Sequence, residues 1–258
     1  MTDATEHPGT ALSESTAFLC SVLDDDLAML ASLHEREPDS SFLQLLQDEH
    51  FPDGLGLRLI GEIGSDSIEM VKQTLSALPT TIDTATTDDL AADFANIYLN
   101  HGIQASPLES VWIDEESLIC QESMFQVRSW YERHGLMTTD WRTRPDDHLV
   151  LQLQFLSHLF SVAESTSDLS EAARFMDEHL LRWIGSFSER VAKRCATAYF
   201  ASIALLTGAY CEEMRDLLAA TLGEPRPTAE EIEERMKPRG HTQEPVSVKF
   251  VPGIGPAV

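Results

Sequence analysis

Residues able to do specific chemistry are concentrated between Phe94 and His148, in two segments joined by one amphipathic helix. The first reads Phe94-x-x-Ile97-Tyr98, then Asn100-His101-Gly102, then Ser106-Pro107-x-Glu109-Ser110-Val111-Trp112; the second is Arg144-Pro145-Asp146-Asp147-His148. Neither segment looks like ordinary connecting loop, and each has a purely structural reading beside a ligand-binding one. Phe94, Ile97 and Tyr98 fall on one helical stripe and read first as core. Glu109 and Ser110 either satisfy the polar backbone of their own loop or are presented to a ligand. Pro145, Asp146 and Asp147 are what a helix start asks for, because proline is preorganised for the first helical position and carboxylates favour the positive end of the helix dipole. That reading leaves His148 unexplained, along with the loop from Gly135 to Arg144 that carries Trp141.

Catalysis is not expected. His101, His134, His148 and His158 are not spaced as a ligand set, and His148 and His158 would sit on different faces of one helix. Asp89 and Asp93 stand one turn apart without a basic or nucleophilic neighbour and read as a solvated face. A glycine-rich phosphate loop, G-x-S-x-G and H-E-x-x-H are all missing from the sequence. Cys20, Cys120, Cys195 and Cys211 are scattered without zinc spacing and read as reduced, mostly buried thiols.

Asp and Glu number 43 against 18 Lys and Arg, a formal net charge of −25. Such a field repels phosphate backbones and anionic lipid, so nucleic acid and membrane surfaces are poor partners and a basic peptide is a better one. The same acidity also serves solubility. An apolar content of 43 % over 258 residues is enough for a substantial core without metal or disulfide. Met1 to Ser15 lacks the basic and apolar regions of a secretory signal, and no stretch approaches 18 uninterrupted apolar residues, so a cytoplasmic protein without membrane insertion is expected.

The elements that must position the two segments are helices. Apolar residues recur at helical intervals over Leu12–Leu33, Phe42–Gln47 behind a Ser41-x-x-Gln44 capping box, Ser67–Leu78, and Leu90–Tyr98, which should close on Gly102. Met124, Val127, Trp130 and Tyr131 mark the next helix, ended by Gly135. From Pro145 a helix with Leu149, Leu153, Leu156 and Phe160 is apolar over so wide a surface that it should be central. Leu169–Ile184 and Phe187–Leu222 follow, with a small-residue seam at Val191, Cys195, Ala198 and Ser202, and Gly208 a candidate break. The expected fold is an all-α bundle of about ten helices over 11–222, with a disordered segment 1–10 and a tail over 223–258. That tail holds six of twelve prolines and four of thirteen glycines, one short helix capped by Thr228-x-x-Glu231, and the single alternating run Val246-x-Val248-x-Phe250.

Two motifs in this order, about forty residues apart in a helical chain, resemble the TorD/DmsD/NarJ family of redox-enzyme maturation chaperones, over about Leu27 to Leu222. The family's aromatic-x-x-Leu-aromatic motif corresponds to Phe94, Ile97 and Tyr98, with its later proline and serine at Pro107 and Ser110. Its acidic-Pro-x-Asp-His motif corresponds to Arg144, Pro145, Asp147 and His148. The resemblance implies an all-helical, non-enzymatic protein that binds the twin-arginine signal peptide or the body of an apo-molybdoenzyme in the cytoplasm. It would hold back export until the client's molybdopterin cofactor is inserted. Weak guanine nucleotide binding is proposed for relatives, while no tightly bound cofactor is expected here. Relatives are mostly monomers, and a swapped dimer through 136–144 is the other form to expect.

A cationic and then apolar signal needs carboxylates beside a greasy groove. Under the resemblance, Asp147, Asp146 and Glu109 are candidates for the arginine pair, through bidentate hydrogen bonds worth ~1.5–3 kcal/mol each when desolvated. Phe94, Tyr98, Trp112 and Trp141 are candidates for the apolar wall. His148 would orient Asp147 by a hydrogen bond or titrate near neutrality and tune release. Arg144 departs from the family, which usually has Glu there, and so exchanges an acceptor for a cation. The competing reading is a helical protein–protein adaptor without an export role.

Overall fold

A computed structural model of the chain describes residues 9–114 and 118–237. The described residues are all-α, without a β-strand, and the first helices follow the apolar periodicity. Helix α1 (Glu14–Glu35) buries Leu23, Leu27, Leu30 and Leu33 and is capped by the Ser13 side chain. Helix α2 (Ser40–Asp48) is capped by Asp39 rather than by the Ser41 box, because the Asp39 carboxylate reaches the Phe42 N–H at 2.8 Å. Helix α3 (Glu62–Ala77) starts five residues earlier than the apolar pattern shows. Helix α4 (Thr84–Phe94) passes into a π-helical turn, Ala95–Leu99.

That wider turn moves the end of the helix. The left-handed residue is His101 (φ 54°), not Gly102, and the Asn100 side chain takes the Gly102 N–H at 2.7 Å. Glycine is needed at 102 for a different reason, since a Cβ there would lie 2.8 Å from the side-chain oxygens of both Asn100 and Asn96.

After the one-turn helix α5 (Ser110–Ile113) and α6 (Glu122–Arg133), Gly135 at φ +70° stops the chain as expected. Helix α7 (Leu149–Ser161) begins four residues later than Pro145 suggests, and its N-cap is His148, whose Nδ1 accepts the Val150 N–H at 3.1 Å. Asp146 and Asp147 stay outside the helix because their carboxylates are engaged elsewhere. With Leu149, Val150, Leu153, Leu156, Leu159 and Phe160 buried, α7 is the central helix, and α1 packs along it.

Helix α8 (Thr166–Glu178) is followed by a 3-10 turn, then α9 (Ile184–Arg194) and α10 (Ala198–Leu222). The break in the expected Phe187–Leu222 helix falls at Cys195–Thr197, so Val191, Cys195, Ala198 and Ser202 do not form one seam, and α10 runs unbroken through Gly208. Asp93 is not on a solvated face: it is buried and accepts the Ala196 and Thr197 N–H groups at 3.0 and 2.6 Å, tying α4 to the start of α10. Cys20 and Cys211 are buried, Cys120 and Cys195 are half-buried, and all four are free.

The chain divides into two units, 1–227 and 228–258. In the first, Thr10 is paired with Thr166 through N–H to Oγ1 at 3.1 Å, so order begins before residue 11. In the second, Thr228 and Glu231 form the expected capping box of α11 (Ala229–Met236). The expected disorder over 1–8 and the Val246–Phe250 run lie outside the described residues. Among the described residues, no helix is long and apolar enough to cross a membrane.

Candidate functional site

The two motif segments meet through their backbones. Residues 107–109 lie antiparallel to 147–149, with Leu149 N–H donating to Pro107 O at 2.9 Å and Glu109 N–H to Asp147 O at 3.2 Å. Asp147 completes the junction by accepting the Ser110 N–H at 2.8 Å, which covers a donor at the start of α5.

The three carboxylates expected to face a cation are instead inside. Glu109 and Asp147 are 0 % exposed and Asp146 is 2 %. Glu109 accepts from His179 Nδ1 at 2.9 Å and Gln152 Nε2 at 2.7 Å, which joins α5, α7 and the end of α8. Asp146 already holds a guanidinium: Arg128 Nε and Nη2 lie 2.8 and 2.7 Å from its Oδ2, and Tyr131 donates to its carbonyl at 2.8 Å. Burial, with the Glu109 charge nearby, pushes the Asp147 carboxyl up to about 6.

His148 neither bonds Asp147 nor titrates near neutrality. Its Nδ1 is the α7 cap, and burial holds its pKa down to about 3. A second buried histidine, His34, stands opposite. Thr207 spends its hydroxyl hydrogen on Ile203 O at 2.9 Å, so His34 Nε2 must donate to Thr207 Oγ1 at 2.8 Å. His34 Nδ1 therefore accepts from the Tyr98 hydroxyl at 2.5 Å, which fixes a neutral ring, and burial lowers its pKa to about 3.

In front of this buried layer lies a cleft of about 540 Å³. Phe94, Tyr98, Leu99, Leu108 and Ile119 give it apolar walls, and His101, Pro145 and His148 complete the lining. The Phe94 and Tyr98 rings stack at 4.7 Å, and both rest on Phe200. Its charged groups are Glu35, Arg36 and Glu37 at the end of α1, facing Arg142 and Arg144. Arg144 reaches across, Nη1 to Glu35 Oε1 at 3.4 Å and Nη2 to Glu35 O at 3.1 Å, a cation on the carbonyl end of α1. Thr143 and Arg144 also line a neighbouring cavity of about 580 Å³, with Met137, Leu151 and Phe155.

Of the residues singled out in the sequence, Phe94, Tyr98, Arg144, Pro145 and His148 share this cleft. Ile97 is buried beneath it, and Pro107, Glu109, Ser110, Asp146 and Asp147 support it from behind. The two tryptophans lie outside its lining: Trp112 donates to Ser106 O at 2.8 Å under Arg190, and Trp141, 40 % exposed, sits between Arg128 and Arg142. Sequence reasoning missed Glu35 and Glu37, beside the proline at 38 that ends the first helix, and Gln152 and His179. Gln152, one of two glutamines within the apolar run of α7, was the available signal for the buried network. Among the described residues, no group of His, Cys, Asp and Glu is arranged to hold a metal ion.

The pattern described as nitrate reductase delta subunit matches residues 66–189, which contain both motif segments. The chaperone protein TorD of Vibrio vulnificus is 31 % identical over 133 residues, covering 48 % of this chain and 61 % of that protein. TorD of Vibrio cholerae is 31 % identical over 138 residues, covering 50 % and 62 %. The chain thus spans about three fifths of the length of these relatives. TorD of Salmonella arizonae is 27 % identical over 183 residues, covering 69 % of this chain and 83 % of that one. A redox enzyme maturation protein from Archaeoglobus fulgidus superposes with a TM-score of 0.44 at 19 % identity, covering 74 % of this chain and 93 % of that one. Over its central residues the chain is thus similar to the nitrate reductase delta subunit pattern and to chaperone proteins named TorD.

Proposed function

We propose that the protein is a cytoplasmic, non-enzymatic chaperone that binds the twin-arginine signal peptide of an apo-molybdoenzyme in the cleft between α1, the π-turn and residues 142–148. Binding there would delay export until the client's molybdopterin cofactor is in place. The observation that carries this reading is the juxtaposition of an apolar wall, Phe94, Tyr98, Leu99 and Ile119, with two exposed carboxylates, Glu35 and Glu37. An arginine pair followed by an apolar helix has the two complementary parts. Leu99 and Ile119 are 63 % and 53 % exposed, apolar area that a helix laid in the cleft would cover.

The roles of the motif residues divide accordingly. Phe94 and Tyr98 contact the peptide, while Asp146, Asp147 and Glu109 hold the two motif segments in place from inside. Glu35 and Glu37 take the arginines, and an incoming guanidinium must displace Arg144 from Glu35. The test is calorimetric titration with a twin-arginine signal peptide from a neighbouring molybdoenzyme, beside its Lys-Lys form. Lysine presents a point charge where arginine presents a planar fork, so the Lys-Lys peptide should bind at least tenfold more weakly. Equal binding of both forms would remove the bidentate Arg–carboxylate element, and binding of neither would favour an adaptor without an export role.

A further inference from the structure

Away from the cleft, the first turn of α3 and the facing sides of α9 and α10 enclose a second groove of about 470 Å³, which shares no lining residue with the first. Gly61, Gly64, Gly185, Gly208 and Ala209 line it, so much of its surface is backbone. At Gly185 an added Cβ would meet nothing within 4 Å, so the groove is open there. At Gly208 a Cβ would sit 2.8 Å from Ser188 Oγ, and the missing side chain is what leaves room for that hydroxyl. Ser188 is 3 % exposed, lines the groove, and its Oγ has no hydrogen-bond partner. A buried hydroxyl without an acceptor is uncommon and would be satisfied by a carbonyl lying in the groove.

The walls are acidic. Glu62, Glu189, Glu212 and Glu213 line the groove, and no lysine or arginine does. Glu213 is committed to the Ile60 and Gly61 N–H groups at 2.7 and 3.1 Å, which locks α3 onto α10. Glu189 and Glu212 make exposed pairs with Lys193 and Arg226, both at 2.7 Å, that a new cation can exchange with at little cost. Ile63, 73 % exposed, adds an apolar edge.

We propose that this groove is a second docking site, for a helical segment of a partner protein with small side chains on one face and lysine or arginine along its flanks. The glycine floor admits close approach of another backbone, the Ser188 hydroxyl offers it a donor, and the glutamates set its charge. A second copy of this chain is the wrong occupant, because at −25 each the two copies repel.

The test is titration of the full chain with an amidated alanine-rich helical peptide carrying two lysines at each end, beside the same peptide with glutamates in their place. The lysine peptide should bind, more weakly as salt rises, and the glutamate peptide should not. At Gly185 an added Cβ meets nothing within 4 Å, so Gly185→Leu should extend into the groove, leave thermal unfolding unchanged and lower affinity at least tenfold. Ser188→Ala and Glu62→Gln should each lower it several-fold, and they keep the proposal testable if the leucine variant folds poorly. Twin-arginine peptide binding at the other cleft should be the same in all three variants. Undiminished binding of the lysine peptide to Gly185→Leu and Ser188→Ala, equal binding of the glutamate peptide, or no binding of the lysine peptide would overturn the proposal.

Discussion

Glu109, Asp146 and Asp147 lie behind the cleft wall and Glu35 and Glu37 lie at its surface, and the two sets of carboxylates are built for opposite tasks. The inner three are buried, and their partners come from the chain itself: His179 and Gln152 for Glu109, Arg128 for Asp146, the Ser110 amide for Asp147. The outer two are exposed, and Glu35 has one loose partner in Arg144 at 3.4 Å. A motif carboxylate therefore need not be the group that touches a ligand. It can instead be what lets the touching residues hold their positions, and the two roles separate cleanly under substitution.

The sharpest break between them is in stability. Glu109→Ala strands His179 and Gln152 in the interior, and by the usual cost of orphaned buried partners it should destabilise by about 3 kcal/mol or more, read from urea unfolding. If stability held while peptide binding vanished, Glu109 would belong with the outer set.

Acid is the next lever on the inner layer. His34 and His148 have folded pKa values near 3 against 6.5 when exposed, so their contribution is complete above 6.5 and lost as pH falls toward 3. Asp147 works the other way, since a carboxyl raised to about 6 from 3.8 loses stability as pH rises through that window. Two histidines against one carboxyl leave one net proton favouring the unfolded chain, so stability from these groups should fall by about 1.4 kcal/mol per unit between pH 6 and 4. His148→Gln should flatten that slope, and an unchanged slope would mean His148 is not buried neutral.

The outer set should show smaller, binding-only effects. Glu35→Gln with Glu37→Gln should weaken twin-arginine peptide binding by roughly tenfold or more and flatten its salt dependence, with unfolding within about 0.5 kcal/mol of the parent. Smallest of all, Arg144→Ala frees Glu35 and should tighten binding several-fold; weaker binding would make Arg144 itself a contact.

The helical class and the central helix were legible because apolar spacing is local information. The start of α7 was not. Pro145-Asp146-Asp147 looks like a first helical turn, yet the two carboxylates are drawn off by Arg128 and Ser110, partners 18 and 37 residues away. Gly208 looked like a break for the same reason, since its cause is Ser188 on another helix. Asp93, read as solvated, caps α10 from about a hundred residues upstream. At the candidate site, Phe94, Tyr98, Arg144, Pro145 and His148 of the motifs line one cleft, while the carboxylates at its surface come from a segment whose local pattern says only that a helix ends.

The most direct test of this division is calorimetric titration of one twin-arginine signal peptide into the parent chain, the Glu35→Gln/Glu37→Gln variant and the Asp147→Asn variant, each checked for its unfolding midpoint. A peptide affinity that collapses in the outer double variant at unchanged stability, and holds in folded Asp147→Asn, is the predicted result. An affinity untouched by the outer pair but abolished in a stably folded Asp147→Asn would contradict it, and would return the arginine-binding role to the motif carboxylate.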